Sequence, residues 1–256
     1  MTRVILGRSF IADCALAWSF VLMLASTSAV AQIDGWEAVK VTDKKKPTLY
    51  AFEKDGERHV VHATSVGSAS SLMRPAAFDL KQRPLLSWSW KISRLIATAD
   101  NTRSHREDAP ARLILVFDGD IAKLPTRDRA AIEVVTRVSG RQLPYATLMY
   151  IWGNRAAVGT IIPNPYTRRV QMVVVASGQG GVGQWLKLRR DVVADYRAAF
   201  NEEPGKLIAY GVMTDTDNTG EYTEAWYADI EFQPASADSR PRPTFTPASS
   251  ASPTRK

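Results

Sequence analysis

The densest chemistry in this 256-residue chain lies in one short stretch, Asp215-Thr216-Asp217-Asn218-Thr219-Gly220, with Glu221 directly after it. Carboxylate and amide oxygens at such spacing are the donors a hard cation such as calcium takes. The same residue types also hydrogen-bond their own backbone and close a turn. The stretch has neither the length of an EF-hand loop nor its final bidentate glutamate. Two readings therefore stand: a structural calcium held by Asp215 and Asp217, or an Asx-type turn that joins two strands.

A second resource is aromatic. Trp36, Trp88, Trp90, Trp152, Trp185 and Trp226 occur with Tyr150, Tyr166, Tyr222 and Tyr227, and a sandwich interior takes most rings of this kind. A sugar site combines an aromatic platform with polar groups that fix hydroxyls. Arg112, Asp118, Tyr150, Trp152 and Asn154 are the set expected to form one if their strands are neighbours. His59 and His62 lie three apart on a predicted strand, so they face opposite ways and cannot chelate one metal together. His105 falls in a charged loop. The sequence has no G-x-S-x-G elbow, no H-E-x-x-H and no closely alternating carboxylates on one strand. A glycan-active enzyme would have to draw carboxylates from separate strands, such as Asp118 and Glu133.

These groups need elements to hold them, and the patterning predicts strands. Residues 206–232 read as two apolar segments of period two around the acidic turn, which sends alternate side chains to a core. Asp55-Gly56, between TLYAFEK and ERHVVHAT, is the strongest hairpin signal. In LLSWSWKI the residues Leu86, Trp88, Trp90 and Ile92 share one face. Leu113, Leu115 and Phe117 form an apolar face, while Arg112, Ile114, Val116 and Asp118 are read as facing a wet groove. Further strands are expected near 130–138, 146–153, 160–162, 170–178 and 185–188. Asp191 is a predicted N-cap for a short helix reaching Phe200, which Pro204-Gly205 ends. GQGGVG at 178–183 lacks the glycine order of a phosphate-binding loop. One short helix among ten or more strands is an all-β count.

The ends of the chain bear on compartment. Arg3 and Arg8 precede an apolar run, and Ala29-Val30-Ala31 is a small-residue cleavage pattern, so residues 1–31 read as a signal peptide. Export to the periplasm or beyond is expected, with no membrane span once the leader is removed. Cys14, the single cysteine, lies in that leader, so thiol chemistry and disulfides are excluded from the mature chain. Residues 234–256 are rich in Pro, Ser and Ala and read as a disordered tail. The formal charge of +7 for the whole chain is scattered over short clusters such as Lys44-Lys45-Lys46. That is no nucleic-acid footprint, which needs one basic face.

LSWSWKI, DAPARLILVFDGD, LMYIWGN, VVVASGQGGVGQWLKLRRDVVADYRAAF and GVMTDTDNTGEYTEAWYADIEF together resemble an exported bacterial family, domain of unknown function DUF3047, over nearly all of residues 33–232. More distantly, the order of a Trp-containing strand, an Arg-Asp-Val segment, a short helix and a final Trp-Tyr-Ala-Asp-Ile strand is similar to jelly-roll carbohydrate-binding modules. That resemblance implies an Asp of the last strand near a structural calcium, here Asp229, although the usual Asp-Asp pair is Ala228-Asp229. The expected architecture is a single antiparallel β-sandwich of jelly-roll type over 32–233, with one short helix between late strands. Its expected role is a non-catalytic module for glycans of the envelope or environment. A glycan-active enzyme and an envelope protein-interaction module are the alternatives.

Overall fold

A computed structural model describes residues 35–140 and 142–235. The expected leader and almost all of the expected tail lie outside the described residues. Within them, twelve strands form two sheets. The seven-stranded sheet runs in the order β1 (Glu37–Lys40), β4 (Ala69–Pro75), β11 (Leu207–Asp215), β6 (Arg112–Phe117), β7 (Ala146–Gly153), β9 (Val170–Ser177) and β8 (Ile161–Pro163). The five-stranded sheet runs β10 (Leu186–Asp191), β5 (Leu85–Ile92), β12 (Tyr222–Gln233), β3 (Arg58–Val66) and β2 (Leu49–Asp55). The chain passes repeatedly from one sheet to the other, as a jelly-roll-type sandwich does. One pair departs from the antiparallel expectation: β7 and β9 run parallel.

The two sheets meet through aromatic rings. Trp88 and Trp90 of β5 face Tyr150 and Trp152 of β7, with Trp88 stacked on Tyr150 at a centroid distance of 5.1 Å and Trp90 6.3 Å from Trp152. All four are fully buried. Leu113, Leu115 and Phe117 point into the same core, as their alternation requires.

The segments on either side of the acidic turn are not a hairpin, because β11 lies in the seven-stranded sheet and β12 in the other. Nor does one alternating set of β12 reach the core. Ala228 pairs with Ser89 and Glu231 with Ser87, so one extra residue is accommodated between them. The bulge reverses the parity of the strand. Tyr227 before it and Phe232 after it therefore both face inward.

Residues 130–138, expected as a strand, are helical: α1 spans Thr126–Ser139 and ends at Gly140 in the left-handed conformation. The residues it turns inward are Asp128, Ala131, Ile132, Val135 and Thr136, which recur at helical spacing, while Val134 and Val138 are exposed. β-Branched residues at 134, 135 and 138 favour a strand locally, and packing overrides that preference. The helix predicted after Asp191 is α2, Val192–Phe200, and Asp191 accepts the Ala194 N–H at 3.0 Å.

Gly211 in β11 marks a close approach between strands: a Cβ there would lie 2.3 Å from the Leu72 carbonyl oxygen and 2.5 Å from the Met73 sulfur. Gly211→Ala is expected to lower unfolding free energy by about 1–3 kcal/mol, the scale of an overpacked site. Urea denaturation followed by tryptophan fluorescence measures this; an unchanged midpoint would show that β4 yields without cost.

Candidate functional site

The five residues expected to converge on a sugar do not share a face. β6 and β7 are neighbours, but Arg112 registers with Ile151 and Leu113 with Tyr150. Arg112 thus lies on the outer side of its sheet, and Tyr150 and Trp152 lie in the core. The Tyr150 hydroxyl donates to Asp195 at 2.8 Å, and the Trp152 indole N–H donates to the Gly178 carbonyl at 3.1 Å. Burial pushes the Tyr150 phenol well above its ordinary pKa, helped by Asp195. Asn154 donates to the carbonyls of Ile96 and Ala99. Asp118 is exposed and accepts the N–H of Gly119. Glu133, the other carboxylate considered for catalysis, is exposed on α1 and pairs with Arg137.

Arg112 is a buried structural ion. Its guanidinium grips Asp215 in bidentate fashion at 2.6 and 2.8 Å and reaches Glu107 Oε1 at 2.7 Å and the Glu107 carbonyl at 2.8 Å. Burial works to discharge the guanidinium, and the two carboxylates more than reverse it, raising its pKa. Burial likewise pushes the Asp215 carboxyl up, against the pull of Arg112.

The acidic turn brings Asp215 and Asp217 together with Asp108, their oxygens within 4.8 Å of one another. Each is already engaged. Asp217 pairs with Lys45, and Asp108 accepts the N–H groups of Asn218 and Thr219 at 3.2 and 2.8 Å as well as both their side chains. A calcium ion would have to displace Lys45 and compete with Arg112, so the donor set suits a self-contained turn better than a hard cation. Asp229 is not part of this group, since it lies in the other sheet on β12. Asp108, absent from the expected set, sits over a hundred positions upstream, where spacing alone gives no signal.

The region that does resemble a binding site is the opposite end of the sandwich. There a cleft of about 560 Å³ opens between the sheets, lined by Trp36, Phe52 and Tyr210 with Lys54, His59, Arg74 and Asp229 at its polar margin. Trp36 and Tyr210 meet edge to face at 6.1 Å. Two further openings of about 550 and 360 Å³ adjoin it on the outer side of the five-stranded sheet, and Asp229 lines all three. Asp229 has φ +56° within the β12 bulge, a left-handed conformation that a non-glycine residue adopts at a cost. The Ser89 hydroxyl donates to its carboxylate at 2.8 Å, and Arg58 lies 3.4 Å away.

Beside Asp229 the outer face of the five-stranded sheet carries a row of alternating rings and cations. His62 stacks on Trp226 at 4.6 Å, Lys91 sits 4.5 Å from the Trp226 centroid and 5.2 Å from that of Trp185, and Arg58 sits 4.7 Å from Trp185. Such contacts hold long side chains in place. The Trp185 N–H donates to Asp55 at 2.8 Å, and the two nitrogens of His62 meet Glu53 and Glu224 at 2.9 and 3.2 Å. His59, by contrast, is exposed at the cleft.

A chain with a two-sheet sandwich and a cleft at one end falls in the broad class of jelly-roll domains. It belongs to the family described as Protein of unknown function (DUF3047), whose model matches residues 34–231. No curated protein matches it. Among solved structures it is similar to the xyloglucanase domain of NopAA, a type three effector from Sinorhizobium fredii in complex with cellobiose (TM-score 0.40, 8% identity, 79% of this chain and 95% of that chain). It is also similar to the Trichoderma harzianum endoglucanase 3 from family GH12 (0.37, 11%, 77% and 91%). A third is the family 11 carbohydrate-binding module of the cellulosomal cellulase Lic26A-Cel5E of Clostridium thermocellum (0.36, 8%, 78% and 88%).

Arg112→Met removes the cation that holds Asp215 and Glu107. The expected loss is about 3–5 kcal/mol of stability, because a carboxylate is left buried without its partner. Chemical denaturation measures it; wild-type stability would show that Asp215 finds water or a proton at no cost.

Proposed function

We propose that this chain is an exported, non-catalytic module that binds a glycan in the inter-sheet cleft and along the adjoining outer face of the five-stranded sheet. The observation that carries this reading is the cleft itself, a concave site with aromatic walls, Trp36, Phe52 and Tyr210, and a margin of hydrogen-bonding side chains. Sugar rings present apolar C–H faces and polar edges, which this combination of walls and margin accommodates. The leader read at residues 1–31 supports a setting outside the cytoplasm, where such ligands occur.

Binding is favoured over hydrolysis by how the carboxylates lining the cleft, Glu53 and Asp229, and the neighbouring Glu224 are used. Glu53 and Glu224 are held by His62, and Asp229 is held by Ser89 and Arg58. A glycosidase needs two carboxyl groups flanking the scissile bond, one of them a proton donor. Carboxylates tied to bases and hydroxyls outside the cleft leave the cleft itself suited to holding a ligand.

Tyr210→Leu retains apolar volume while removing the phenol from the cleft wall. With oligosaccharides titrated into the folded protein and followed by calorimetry, this variant is expected to bind about thirtyfold more weakly, the roughly 2 kcal/mol of a lost aromatic anchor. Losing the ring contacts with Trp36, Phe78 and Phe232 should lower its melting temperature, so binding is compared well below the variant's own transition. Failure of a broad panel of soluble glycans to bind the wild type, or binding indifferent to Tyr210→Leu, would overturn this assignment of the site.

A further inference from the structure

The inward rows of three strands change character in the same way as they reach the cleft. In β4 the inward row passes from buried Leu72 to Arg74, which registers with Tyr210. In β2 it passes from Phe52 to Lys54, and in β3 from Val61 to His59, with Phe52 opposite Val61 and Lys54 opposite His59. Period-two alternation keeps each base on the side of its strand that faces the core. Arg74, Lys54 and His59 are all exposed and all line the cleft. A core-facing row is where a base has least reason to lie unless something at the mouth requires it.

At this mouth the charges match in number, Lys54 and Arg74 against Glu53 and Asp229, but they do not face the same way. Glu53 is held by His62 at 2.9 Å, while Asp229 accepts from Ser89 at 2.8 Å and lies 3.4 Å from Arg58. Both carboxylates are thus turned toward groups outside the cleft. Arg74, Lys54 and His59 make no ion pair among the described residues. The charge left for a ligand is therefore positive, set against the aromatic walls of Trp36, Phe52 and Tyr210.

We infer that the cleft takes an acidic saccharide, with an anionic group on a sugar ring, a carboxylate or a sulfate ester, paired with Arg74 and supported by Lys54 and His59. This rests on the glycan reading above and specifies its ligand class. Arg74 is the primary partner because a guanidinium offers two parallel donors to a planar anion. Tyr210, opposite Arg74 in the register, supplies the ring beside it.

The test is calorimetric titration of the full folded protein with matched ligands at low and moderate salt. These are an oligogalacturonide, the same oligosaccharide with its carboxyls methyl-esterified, a sulfated neutral oligosaccharide with its unsulfated parent, and poly-glutamate. The oligogalacturonide or the sulfated ligand is expected to bind about tenfold or more tightly than its neutral counterpart, with affinity falling as salt rises. Whichever charged arm prevails identifies the anion. Arg74→Gln should bring the affinity of the charged arm down to that of its neutral counterpart under the same conditions; as an exposed side chain it should leave melting unaltered. Equal binding of charged and neutral arms, or a preference that survives Arg74→Gln and Lys54→Gln together, would overturn the inference and leave the glycan reading intact. Poly-glutamate bound as tightly as the acidic saccharide, or no saccharide bound at all, would overturn both.

Discussion

The structure depends on aromatic contact across the sandwich. Trp88 and Trp90 on one sheet meet Tyr150 and Trp152 on the other, and rings of this size bury more apolar surface than any aliphatic pair in the core. Their contact fixes which face of β5 and β7 is internal. Once that parity is set, the register between β6 and β7 leaves Arg112 no choice but the outer side, where it must bring its own counter-ions. A charge there is tolerable only because Asp215 and Glu107 meet it.

The two ends of the sandwich are finished in opposite ways. At one end buried hydroxyls tie the sheets together: Ser65 to Thr216 at 2.8 Å, Thr48 to the Thr214 carbonyl at 2.7 Å, and Thr214 to the Tyr227 hydroxyl at 2.7 Å. The ion group of Arg112, Asp215 and Asp108 lies beside this seam. Satisfied polar networks of this kind rigidify what they join. The other end has aromatic walls and exposed bases instead, and space between the sheets. A closed end holds the sheets at a fixed spacing, so the open end can keep a cleft without collapsing.

Much of the fold was legible because it follows from period two. LLSWSWKI, the apolar set Leu113, Leu115 and Phe117, the Asp55-Gly56 hairpin and the Asp191 cap each encode their geometry within a few residues. Helix α1 was not legible: its valines favour a strand, and exposed Val134 and Val138 blur the helical spacing of the inward set Ala131, Ile132, Val135 and Thr136. The site was less legible still. Tyr150 and Trp152 advertise a platform, yet the same alternation that places them on one face places that face in the core. Asp108 and the acidic turn are joined only by tertiary structure.

The last strand shows how little separates the two outcomes. Without an extra residue between Ala228 and Glu231, Tyr227 and Phe232 could not both point inward, because a strand alternates without exception. The bulge that reconciles them is also what leaves Asp229 in a left-handed conformation, with its carboxylate drawn to Ser89 and Arg58. One irregularity thereby completes the core and shapes the rim shared by the cleft and the outer groove. Asp229 was singled out as a cation ligand for its place in the last strand. Its position at the rim comes from the bulge, a tertiary device that repairs parity and turns the Asp229 carboxylate toward Ser89 and Arg58.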